Sequence, residues 1–349
     1  MRIAHIKKFV FKDSQIMQIV INTRGSYIRK KGECFEIKVE DKKQEISARK
    51  VQSILITTSV LISTDSILLA HENNIDIIFL DSFGDPFSRV WHSKFGSTAY
   101  IRRMQLEYAT DKRGMTFAKE WICQKIDHQI LLLKRLKKTR PLKNEQLESY
   151  ILKISECKTI IEHIESQYIE PVRNQIFANE AQAGKLYFKA LNDIMPDRYK
   201  FSGRSRRPAK DPFNAILNYG YGILYSRVER ACILSGLDPF IGFLHTDNYG
   251  KKSFVYDIVE IFRIYIDEIV VKLFSKRQIK QDMFRNIKNG VTLEKEGKQL
   301  LILNINEEME KTERYRGRNI KKINIMEFEC HRIANILIGR KTNADMANI

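Results

Sequence analysis

The sequence predicts an α+β protein, with a β-rich N-terminal domain over residues 1–92 and an all-helical C-terminal domain over residues 93–349. Three observations predict it. Short segments rich in Val, Ile and Phe, divided by Gly25, Gly32 and polar turns, fill the first 92 residues. From Ser93 onward apolar residues recur three or four apart, the period of a helix. The charge also divides there: 14 basic residues against 11 acidic in 1–92, and 46 against 31 in the remainder. A basic excess confined to one domain suggests either a polyanion footprint or a solvated lysine-rich surface.

In the first domain FVFKDSQIMQIVI, ECFEIKVED and QEISARKVQSILIT read as strands. STDSILLAHEN (63–73) reads as one short helix capped by Ser63 or Thr64. The apolar run IDIIFLD, the turn SFGDPF and a last strand SRVWH follow. No Gly-rich phosphate loop follows any strand, which argues against a nucleotide-binding Rossmann domain. In the second domain Met104, Tyr108, Met115, Ala118, Trp121, Ile122, Ile126 and Ile130 mark a helical stretch that Pro141 stops after the basic turn KRLKKTR. A second helix spans about Asn144 to Ser166. FANEAQAGKLYFKALNDIM is a third, with Glu180 among small residues that admit a close neighbour. A lone Glu near a helix start is most often a favourable dipole charge.

The loop KFSGRSRRPAKDP packs Arg204, Arg206, Arg207 and Lys210 into seven positions, a composition suited to phosphate contacts or to a basic linker. Asp211-Pro212 then caps a long apolar helix, which Gly236 closes. Arg227, Glu229 and Arg230 are expected on its solvent or ligand side. PFIGFLH brings His245 to the edge of a polar loop, and SFVYDIVEIFRIYIDEIVVKLF reads as one helix apolar on most of its circumference. Asp257 and Glu260, three apart, share a face of it. An ionised carboxylate on such a helix costs several kcal/mol, roughly, unless paired or metal-bound. Pairing with Arg230 or Arg263, and a satisfied buried histidine, would account for these residues equally well.

Several classes are excluded or disfavoured. The 349 residues are 43% hydrophobic and 10% aromatic, ample for a buried core. MRIAHIKKFVFKDSQ has no signal-peptide core, and no run of about 18 apolar residues could span a membrane. Cys34, Cys123, Cys157, Cys232 and Cys330 form no CxxC pair, so a reduced, cytoplasmic protein is expected. There is no GxxxxGK[ST] motif for direct use of ATP.

GRSRRPAKDPFNAILNYGYGILYSRVERACILSGLDPFIGFLH (203–245) and SFVYDIVEIFR (253–263) carry a resemblance that extends over essentially the whole chain. The sequence resembles the CRISPR-associated spacer-acquisition integrase and endonuclease family, the larger of the two adaptation proteins. The resemblance implies a catalytic C-terminal domain in which Glu180, His245 and Glu260 hold a divalent metal, with Asp257 beside them as a further catalytic carboxylate. Glu260 stands where several relatives carry Asp. Two carboxylates and an imidazole suit Mg²⁺ or Mn²⁺ better than structural zinc. DNA contacts are expected from Arg204, Arg206, Arg207, Lys210 and Arg230. The resemblance also implies a homodimer through the N-terminal domains, assembly with the small adaptation partner, and insertion of short DNA into a repeat array. A noncatalytic scaffold for branched DNA, or a metal nuclease of branched repair intermediates, are the alternatives.

Overall fold

The computed structural model describes residues 7–10, 17–73, 75–81, 86–90, 98–246 and 249–340. It divides into one unit of residues 1–94 with 302–310 and another of 95–301 with 311–349. The boundary expected at 92/93, the first residues of the turn SFGDPF and the end of SRVWH lie outside the described residues.

The first unit holds two sheets. One joins β1 (Lys7–Val10), β2 (Met17–Ile21), β6 (Val51–Ile56), β8 (Asp76–Leu80) and β9 (Pro86–Val90) in the order β1-β2-β6-β8-β9. Its three central strands run parallel, and its two edges pair antiparallel. The other has the order β5-β4-β3-β7, from β3 (Tyr27–Lys31), β4 (Cys34–Val39), β5 (Lys42–Ser47) and β7 (Leu61–Ile62). In β6 Ser53, Ile54, Leu55 and Ile56 are buried in succession, as a central parallel strand covered on both faces requires. Ile19, Ile28, Phe35, Ile37, Ile54 and Ile77 unite the two sheets in one core, with Leu69 of α1 (Thr64–Glu72). The expected cap of that helix is Ser63, whose side chain accepts the amide of Ser66.

The second unit is built on α3 (Lys112–Lys138), with α2 (Thr98–Ala109), α4 (Asn144–Glu162), α5 (Arg173–Asp193) and α6 (Pro212–Leu234). The stretch read as one helix up to Pro141 is two. Asp111 caps α3, and Gly114 fits the corner because a Cβ there would lie 2.1 Å from the Tyr108 carbonyl. The apolar helix after His245 is also broken, into α7 (Ser253–Val259), a 3-10 turn Glu260–Phe262 and α8 (Arg263–Ser275). No Gly or Pro marks that break. The turn packs on α3, where His128 Nδ1 lies 3.1 Å from the Ile261 carbonyl.

The expectation of an all-helical second domain needs correction. Besides α9 (Lys295–Met309) and α10 (Lys322–Leu337), this part of the chain contains two hairpins, β10 (Phe284–Ile287) with β11 (Gly290–Leu293) and β12 (Thr312–Tyr315) with β13 (Arg318–Lys321). Their tight turns put Asn289, Arg316 and Gly317 at φ of 66°, 44° and 76°, the left-handed region that two-residue hairpin loops need.

Candidate active site

Four segments of the second unit converge. The stripe of α3 that buries Trp121, Ile122, Ile126, Gln129 and Ile130 also buries Lys125, whose side chain is 10% exposed. An ammonium there must be paired. Its partners are Glu180 of α5 and Glu260 of the 3-10 turn, the latter at 2.6 Å. The two expected ligand carboxylates thus meet at one positive charge.

Glu260 has a second cation, Arg263, whose Nε and Nη2 donate to its two oxygens at 2.8 Å each. This is one of the pairings that the sequence had left open. Burial acts to raise the Glu260 pKa, but Arg263 and Lys125 outweigh it and hold the carboxyl far below its ordinary range. Burial likewise opposes the charge on Lys125, and Glu260 with Glu180 restores it, leaving the pKa raised. Arg263 also donates to the Tyr225 hydroxyl at 2.7 Å and lies 4.6 Å above the Tyr221 ring. Its guanidinium is therefore fixed on several sides.

His245 joins this group through aromatic contacts. Its ring centroid is 5.3 Å from that of Phe177, one turn before Glu180 on α5, and 5.9 Å from that of Tyr256. Tyr256 in turn packs on Tyr225 at 5.6 Å. The imidazole Nδ1 lies 2.7 Å from Asp257 Oδ1, so it donates to the carboxylate and leaves the Nε2 lone pair available. Asp257 is an anchor. Its Oδ1 also accepts the His245 amide at 2.9 Å, and its Oδ2 accepts the Phe243 and Leu244 amides at 2.6 and 3.0 Å. Gln105 steadies the start of the same segment through Asp238 and Ile241. Among the described residues no three of His, Cys, Asp and Glu gather closely enough to hold a metal ion as they stand.

The arginine loop lies over the start of α6, whose cap Asp211 accepts the Asn214 amide at 2.8 Å. Asn214 is fully buried and donates to the Gly203 carbonyl at 2.8 Å, while Asn218 donates to the Ser205 and Arg206 carbonyls at 3.0 and 2.7 Å. On its far side Ala209 bridges Val291 of β11, and Lys210 Nζ donates to the Asn289 carbonyl at 2.8 Å. The loop backbone is held in place, unlike the conforming loop its composition suggests. Arg204 turns inward, hydrogen-bonded to Asn214 and Asn218 and stacked near Phe188 and Tyr221. Arg206, Arg207 and Lys210 are exposed. Two further expectations change on α6. Arg230 pairs with Glu327 of α10, and Glu229 is 8% exposed and paired with Lys252, so neither belongs to an open ligand face.

Lys125, Arg263, Asn214 and Asn218 are the residues that sequence reasoning left without a function. The signal for Lys125 was its register: it occupies the apolar stripe of α3 beside Trp121, Ile122 and Ile126.

A family model from a class of CRISPR-associated proteins matches residues 19–307 of this chain. That family is CRISPR associated protein Cas1, and the chain belongs to it. It is 32% identical over 337 residues to the CRISPR-associated endonuclease Cas1 1 of Archaeoglobus fulgidus, covering 93% of this chain and 97% of the relative. In fold it is similar to a casposase bound to integration product, with TM-score 0.79, 20% identity, and 93% and 92% of the two chains covered. A chain of a Cas6-RT-Cas1–Cas2 complex matches with TM-score 0.78 and 20% identity, over 95% of this chain and 36% of that one. Among the described residues no helix is long and apolar enough to cross a membrane.

Proposed function

We propose that this chain is a divalent-metal-dependent DNA endonuclease and integrase that inserts short DNA into a CRISPR repeat array by strand transesterification. The observation that carries the proposal is the meeting of Glu180 and Glu260 at one positive charge, with His245 held against Phe177 one turn away on the helix of Glu180. Two carboxylates aimed at a common cation are the hard oxygen donors of a Mg²⁺ or Mn²⁺ site, so the residues fit such an ion in kind. Glu180 and Glu260 would hold it with His245 Nε2. The ion, when bound, would polarise the phosphodiester and stabilise the charge that develops on its oxygens.

The other residues orient and neutralise. Asp257 fixes the tautomer and direction of the imidazole, so that Nε2 is free to bind or to accept a proton. Arg263 keeps Glu260 ionised and aimed inward. Arg206, Arg207 and Lys210 hold DNA phosphates from a loop whose shape is already set. A homodimer through the N-terminal unit, and assembly with the small adaptation partner, belong to the same reading. Its support is family membership and the likeness to a chain of a complex that contains Cas2.

The test is joining of a labelled short duplex to a repeat-containing plasmid, with the partner protein and Mn²⁺ or EDTA. The proposal expects joined product with Mn²⁺, none with EDTA, and none from Glu180→Gln or His245→Ala proteins that remain folded. Cleavage without joining would favour a nuclease of branched intermediates. Undiminished activity in both variants would sink the metal site.

A further inference from the structure

We infer that the Lys125 ammonium is a built-in substitute for the divalent ion: it keeps Glu180 and Glu260 drawn together, and it must withdraw for an ion to join them. The inference rests on the metal-dependent reading above. Three observations carry it. First, a lysine in the apolar stripe of α3 is tied to both carboxylates, which come from two other elements separated by 80 residues of sequence. Second, the local charges already balance. The charges of Glu180 and Glu260 are already matched by Lys125 and Arg263, so these two carboxylates present little unpaired negative charge to a further cation. A dication added beside both would be repelled by two positive charges a few ångströms away. Third, the two resident cations differ in freedom. Arg263 is forked onto both oxygens of Glu260, bonded to Tyr225 and stacked on Tyr221, whereas Lys125 offers a compact charge on a flexible four-carbon stem. Lys125 is the one that can leave.

Binding is then an exchange, ammonium out and ion in. Before the exchange the ammonium prevents the two carboxylates from repelling one another out of position. It also sets a threshold: a singly charged ion gains nothing by displacing it, while a doubly charged one does. The pair is pre-assembled, and admission is restricted by charge.

The experiment is calorimetric titration of the full-length protein with Mn²⁺ at one pH, with thermal melting with and without the ion. It compares wild type, Lys125→Gln, Lys125→Arg and Glu260→Gln. Lys125→Gln should bind Mn²⁺ on the order of tenfold tighter, a typical coupling between two mutually exclusive occupants. It should also melt lower than wild type without the ion and gain more from it. Lys125→Arg, whose rigid fork grips both carboxylates, should bind more weakly than wild type. If Glu260→Gln binds as wild type does, the metal-site reading itself fails. If Glu260→Gln loses binding but Lys125→Gln binds no tighter, the site stands and the exchange is overturned. Should Lys125→Gln not fold, Lys125→Arg decides: affinity equal to or above wild type overturns the exchange.

Discussion

Removing the Asp257 carboxylate tests how His245 is held. In Asp257→Ala the buried amides of Phe243 and Leu244 lose their acceptor, as do the His245 amide and Nδ1. Leaving a buried donor unsatisfied costs about 1–3 kcal/mol, so the two fully buried amides alone give about 4 kcal/mol. For a unit of this size each kcal/mol lowers Tm by about 2–4 °C, and the melt should fall by about 10 °C. Asp257→Asn sharpens the test. Its single oxygen serves one pair of donors, and its amide group faces the other. If the oxygen stays with Phe243 and Leu244, the amide meets Nδ1 as a donor and drives the imidazole proton to Nε2. Asp257→Asn should therefore lose about half as much Tm as Asp257→Ala, yet lose DNA joining as completely. Circular dichroism melts and the plasmid-joining assay read the two effects separately. An Asp257→Ala protein that melts within about 2 °C of wild type would refute the anchor, since even one unsatisfied buried amide should cost more.

Three other predictions come from different parts of the second unit. Asp267 is buried and accepts from Tyr221 at 2.5 Å and Tyr187 at 3.0 Å; burial pushes its pKa up to about 6 from an ordinary 3.8. A carboxyl whose folded pKa is raised loses stability as pH rises from 3.8 through 6, by ~3 kcal/mol for about two pH units, so Asp267→Asn should gain on wild type between pH 4 and 7 in denaturant melts. Parallel curves would remove the buried charge as the cause. A Cβ on Gly242 would lie 2.5 Å from the His245 carbonyl and 2.7 Å from Ser253 Cβ; Gly242→Ala should cut joining about a hundredfold by shifting the histidine, and unchanged kinetics would contradict this. Arg206→Ala should flatten the slope of log affinity against log salt by about 0.9, whereas Arg204→Ala should lower Tm, since that guanidinium braces Asn214 and Asn218. Equal salt slopes for wild type and Arg206→Ala would take Arg206 out of the phosphate contacts.

What could be read in the sequence was local. Ser63 and Asp211-Pro212 announced helix starts because a cap depends only on the residues beside it. Both hairpins were equally local in origin, with Lys288-Asn289 and Arg316-Gly317 as their turns, but the short flanking strands are largely polar, and the helical composition around them obscured the turn signal. The break at Glu260 was not legible: the apolar pattern continues through it, and the turn is fixed by packing on α3. The candidate site shows the same division. His245, Asp257 and Glu260 drew notice as polar groups on apolar sequence, and Glu180 through the resemblance. Their pairings were long-range. Lys125 is 135 positions before Glu260, and nothing near either residue names the other.

That dispersal also bears on how the protein is made. Lys125, Glu180, His245 and Glu260 leave the ribosome in that order, and the first three cannot form the site without the last. Even then α6 lacks its partner α10, which buries Cys330 against Cys232. A chain truncated anywhere before α10 therefore has either an incomplete set of acids or an unsupported helix beneath them. For a protein proposed to cut and join DNA, the candidate site is therefore complete only when nearly the whole of the second unit has been made.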